Sequence, residues 1–181
     1  MGLKNTTASF GTLTKLTHWA IFILFVLQYF LVYRREYFPK DSPEKLQYIL
    51  LHKSVGTLLL LLALFMILWR QMGQRPPFPS NMSKTEIFFA KLIHFLLYFS
   101  MLLMPIIGIL MSQFGGRAVS FFGQFELPTL VAKNKALAGV MYDSHVILSY
   151  IIIAIVTLHA LAALAHHFIK KDNVLKRMLM N

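Results

Sequence analysis

Four long apolar stretches, each carrying at most one formal charge, alternate with short polar segments along the chain. They run over about 16–33 (LTHWAIFILFVLQYFLVY), 51–69 (LHKSVGTLLLLLALFMILW), 92–114 (LIHFLLYFSMLLMPIIGILMSQF) and 144–169, which begins SHVILSYIIIAIVTLHALAALAHHF. Each is close to the roughly 20 residues that a helix needs to cross hydrocarbon. Backbone in lipid must satisfy its own N–H and C=O groups, so each stretch predicts a helix. Pro105 should bend the third, because it removes one helical hydrogen bond. The expectation is an all-α membrane protein, a bundle of four transmembrane helices forming one domain over residues 1–181. The first stretch reads as a retained span, since its apolar run ends at YRREYFPK without a small-x-small cleavage pattern. The connections are short except the third, about 115–142, which contains GGRAVSFFGQFELP and is expected to pack over the bundle mouth.

Composition sharpens this picture. The 181 residues are 57% hydrophobic, too apolar for an ordinary soluble domain. The net charge of +11 comes from basic clusters flanking the spans, a membrane-edge pattern that argues against nucleic acid as a partner. Four spans place both termini on one side. That side would hold Lys4, Lys15, Arg70, Arg75, Lys84, Lys91, Lys170, Lys171, Lys176 and Arg177. The other would hold Arg34, Arg35, Lys40, Lys45, Lys53, Arg117, Lys133 and Lys135. The bias is small, but the compact clusters favour cytoplasmic termini. The absence of cysteine excludes disulfides, thiolate-held clusters and covalent c-type haem attachment, so any metal must rest on histidine.

The histidines lie where lipid makes them costly. An unpaired polar group in hydrocarbon costs roughly 2–7 kcal/mol. His145 and His159 are 14 residues apart, which separates them by about 21 Å along a helix and leaves them on nearly the same face. One metal ion cannot use both; two cofactors stacked across the membrane could. Depth supplies the partners: His18 lies on the terminal side with His159, and His52 lies on the opposite side with His145. Neutral imidazole suits haem iron, which takes two axial ligands. Gly56, one turn beyond His52, would let a flat macrocycle approach the backbone. A haem-free, proton-coupled transporter with a histidine relay fits the same residues.

Beyond these features, the chain resembles the bacterial cytochrome b561 family. The resemblance rests on THWAIFI, LHKSVG, KLIHFLLY, VSFFG, DSHVILSY and HALAALAHHFIKKDNVLKRM, in the family's order over nearly the whole chain. It implies two non-covalent haems b, held in a four-helix inner-membrane protein by His18, His52, His145 and His159. It also implies electron transfer with ubiquinone or another quinone, from an unidentified periplasmic donor. One branch of the family oxidises superoxide, and this chain departs from it at Asp143–Ser144–His145, where that branch has a tryptophan–histidine–glutamate pattern. His94, His166 and Arg70 are candidates for a quinone site or for hydrogen bonds around a haem. The alternative within the same chemistry is a membrane-anchor cytochrome subunit of a periplasmic oxidoreductase.

Overall fold

The computed structural model describes residues 2–179. Four helices dominate it: α1 (Thr12–Arg35), α2 (Pro43–Gln71), α3 (Lys84–Phe114) and α4 (Lys135–Phe168). All four are long and apolar enough to cross a membrane, and the chain is a multi-pass membrane protein.

Three helices start about two turns before the apolar stretches that predict them, because capping rather than hydropathy sets their ends. Ser42 accepts the Lys45 N–H at 3.2 Å, and Pro43 occupies a first-turn position where its missing N–H costs nothing. Ser83 and Glu86 form a reciprocal capping box at the start of α3. The Asn134 side chain accepts the Leu137 N–H at 3.1 Å, so α4 begins at Lys135 and projects beyond the predicted span. The third connection is correspondingly shorter, 115–134. Helix α3 runs through Pro105 without a break, at the loss of one hydrogen bond to the Met101 carbonyl.

The close neighbours are α1 with α2, α2 with α3, and α3 with α4. Small residues such as Ser54, Ala63, Ser100 and Ser112 occupy the buried seams. Such residues let backbones approach where apolar lipid provides no hydrophobic drive for helix association. Large apolar side chains such as Leu61, Phe95, Ile147 and Leu158 point outward.

Between α3 and α4 lies an antiparallel hairpin, β1 (Ser120–Phe121) and β2 (Phe125–Glu126). Rather than spreading across the whole mouth, this connection is folded onto α2 and the end of α3. Fully buried Ser54 accepts the Phe122 N–H at 2.8 Å, and Lys53 donates to the Ala118 carbonyl at 2.9 Å. Gln113 donates to Pro128 O and accepts from Leu130 N–H. At the other end, the chain after α4 turns back across the start of α1. Trp19 Nε1 donates to Met178 O at 2.8 Å, and Lys15 Nζ donates to Leu179 O at 2.7 Å.

Candidate metal centres

Helix α4 carries His145 near one end of the bundle and His159 about 21 Å further along. The first faces His52 of α2 and the second faces His18 of α1. The ring centroids are 6.2 Å apart in both pairs, with the ring planes inclined at 77° and 55°. All four rings are half-buried.

That spacing has a chemical meaning. An imidazole nitrogen lies about 1.1 Å from its ring centroid, and metal–imidazole bonds are about 2.0–2.1 Å. Two imidazoles on opposite sides of one metal therefore have centroids about 6.3 Å apart. Direct ring contact is shorter, as His94 shows: its centroid is 5.2 Å from that of His159, edge to face. Both pairs therefore have the spacing that two imidazoles holding one metal would need, whereas the His94–His159 contact is shorter.

The packing supports the same use. Each pair joins α4 to a helix outside its closely packed neighbours, α1 in one case and α2 in the other. A flat group fits between helices that are not in tight backbone contact. No group of three or more His, Cys, Asp or Glu side chains converges on one point among the described residues. Two protein nitrogens suit a metal whose other positions a macrocycle fills. The Nδ1 atoms of His18, His52 and His145 are buried without a hydrogen-bond partner among the described residues. The residues therefore fit haem.

Neighbouring groups hold these rings in place. Gln28 Nε2 donates to the His52 carbonyl at 3.1 Å, tying α1 to the turn that carries this ring. A Cβ on Gly56 would come within 3.0 Å of that same Nε2, so the missing side chain makes room for Gln28. Tyr29 donates to Ser149 O at 2.8 Å, bridging α1 to α4 between the two pairs. A Cβ on Gly108 would lie 3.1 Å from His145 Cε1, so α3 backs directly onto this ring. Gly108→Val should displace His145 and broaden or shift the spectrum of the chromophore it holds, leaving the other unchanged. A redox difference spectrum identical to that of the parent protein would refute this contact.

The remaining candidates cluster toward the terminal side. His94 donates Nδ1–H to Ala90 O at 2.6 Å, which fixes its tautomer and leaves its other nitrogen available. Arg70 donates to Tyr98 OH at 3.0 Å and lies over that ring, one turn beyond His94. His166 Nδ1 donates to Asp172 at 2.5 Å, so this histidine is fastened to the carboxyl-terminal tail. Gly108 and the tail contacts of Lys15 and Trp19 had no signature in the sequence, because each depends on which distant element approaches.

Four membrane helices that hold imidazoles in two facing pairs fit a membrane cytochrome. The chain belongs to the prokaryotic cytochrome b561 family, whose model matches residues 9–181. It is 33% identical to cytochrome b561 homolog 2 of Escherichia coli K12, over 99% of this chain and 95% of that protein. It is 28% identical to cytochrome b561 homolog 1 of the same organism, with 90% and 92% covered. A probable superoxide oxidase CybB of Yersinia pestis is 29% identical, with 90% of each chain covered. Family membership implies b-type haem.

Proposed function

We propose that this chain is a single-domain, inner-membrane di-haem b cytochrome with cytoplasmic termini. It would carry electrons between a periplasmic donor and quinone in the bilayer. The observation that carries this reading is the equal 6.2 Å spacing of two imidazole pairs at opposite ends of one helix. His18 and His159 would hold one iron, and His52 and His145 the other. Haem supplies reversible one-electron chemistry when bound. Were each pair to hold one iron, its two imidazoles would leave a substrate no place on the metal, which favours electron transfer over bond-making catalysis. Gln28 and Gly108 restrain the ligands on the side opposite the termini, and burial together with such contacts tunes the potential. On the terminal side, His94 and His166 are the chain's own groups for hydrogen-bonding or protonating a quinone.

The test is direct mixing of the oxidised, haem-loaded protein with a short-chain ubiquinol. A reduced α band should develop, and ubiquinone should reoxidise the reduced protein. A fully loaded protein that neither reagent affects would eliminate quinone as partner while leaving the cytochrome assignment intact. A second reading, an anchor subunit for a periplasmic oxidoreductase, draws on the hairpin, where Phe122 and Phe125 are exposed. A stoichiometric redox partner that co-purifies with the chain would favour it.

A further inference from the structure

The carboxyl-terminal tail and the α2–α3 connection line a wide, open depression of about 470 Å³ just beyond the ends of the helices. Its lining includes Lys171, Lys176 and Arg177, with Ser80, Asn81 and Asn173 as neutral polar groups. Among the described residues, two acidic side chains, Glu86 and Asp172, lie on this side of the bundle, and both are engaged. Glu86 is paired with Lys170, and Asp172 accepts from His166 Nδ1 at 2.5 Å. The Asp172 carboxyl, which also lines the depression, lies below its usual range. Burial pushes it upward, but the bonds from His166 and the Val174 N–H and the charges of His166 and Lys170 outweigh that effect. Asp172 is therefore held as the anion, and the lining sets three cations against this one carboxylate.

Two further features give the depression its character. Arg177 donates through Nη1 to Pro77 O at 2.6 Å, yet its Nε is buried with no hydrogen-bond partner among the described residues. Lys171 adopts a left-handed conformation (φ 54°) at the end of α4, a place where glycine is the usual residue. The position thus carries a cation where a backbone-neutral residue would fit more easily. Immediately before it, Phe168 and Ile169 are 68% and 79% exposed. An exposed apolar pair followed by basic side chains is the pattern of the boundary between acyl chains and headgroups.

We propose that this depression binds a phosphate group, and that its source is the headgroup of an anionic phospholipid in the leaflet on the terminal side. Lys171, Lys176 and Arg177 would meet the phosphate, Ser80, Asn81 and Asn173 the glycerol or headgroup hydroxyls, and Phe168 and Ile169 the start of the acyl chains. The depression has the size range of small-molecule sites, and juxtamembrane cations are attracted to anionic lipid surfaces. The site stands apart from the histidine pairs and does not depend on their occupancy.

The test uses the full-length, haem-loaded protein in detergent, titrated with phosphatidylglycerol, phosphatidylcholine or inorganic phosphate and followed by thermal unfolding and native mass spectrometry. Phosphatidylglycerol should raise the unfolding midpoint and remain bound in the gas phase, and phosphatidylcholine should do so weakly. The double variant Lys171→Gln/Lys176→Gln should bind phosphatidylglycerol about tenfold or more weakly. Both side chains are exposed, so this variant should fold with unchanged haem content. Lys133→Gln, on the opposite side of the bundle, serves as control and should bind as the parent does. Equal protection by both lipids, or equal binding by the double variant, would overturn the site. Protection by inorganic phosphate that phosphatidylglycerol cannot displace would overturn the lipid source. A variant that loses haem would be replaced by Lys176→Gln alone, whose affinity must still fall.

Discussion

His18→Ala and His159→Ala should abolish the same b-type chromophore, and His52→Ala and His145→Ala should abolish the other. Pyridine haemochrome analysis should give about two haems per chain for the parent and about one for each of the four variants. The effect should be close to all-or-none, because removing one axial imidazole leaves iron with a single protein ligand in an apolar setting. The two losses should also be independent. The pairs lie at opposite ends of α4, about 21 Å apart, and each has its own partner helix. Acid–acetone should extract both haems, since no cysteine is present to attach them covalently. A parent protein holding one haem, or a His18 variant that keeps both while a His94 variant loses one, would break the pairing.

His94→Ala should retain both haems and change how the terminal-side haem reacts. The His94 ring is closer to His159 than the His18 ring is, at 5.2 Å against 6.2 Å. Proximity alone would make His94 the better ligand. The proposed pairing rests on spacing instead, because two imidazoles sharing one metal would need about 6.3 Å between centroids. The His94 ring is held by Ala90 O and packs edge-on against His159. Its removal should therefore shift the midpoint potential of one haem and slow quinol-driven reduction several-fold, with haem content unchanged. His94→Gln, which keeps a polar side chain, should recover part of the rate. Redox titration of both variants against the parent decides the matter, and loss of one α band in His94→Ala would reassign the ligand.

The depth of each histidine was legible because a bilayer has a fixed thickness. Once the spans are known, a histidine near the start or end of a span has a known height, and only imidazoles at the same height can share a metal. That is how 14 residues of separation on the fourth span lead to the proposal of two centres rather than one. The starts of α2 and α4 were less legible, because Ser42 and Asn134 extend helix into polar sequence that a hydropathy reading assigns to loops. Gly56 was legible only in part for a related reason. Its missing side chain signals close approach, but the sequence does not say that the approaching atom is Gln28 Nε2.

By itself, then, the sequence determined the number of helices, the shared side of the termini and the height of every imidazole. These follow from apolar run length and composition, which act locally and need no knowledge of neighbours. The tertiary structure alone decided that His94 touches His159, that Gly108 backs onto His145, that Ser54 anchors the hairpin and that the tail returns to Lys15 and Trp19. Each of these depends on the rotation of one helix against another, or on where a returning segment lands. Packing sets such rotations through small buried seams and single hydrogen bonds between residues far apart in the chain, and in a lipid solvent no apolar stripe along a helix announces which face turns inward.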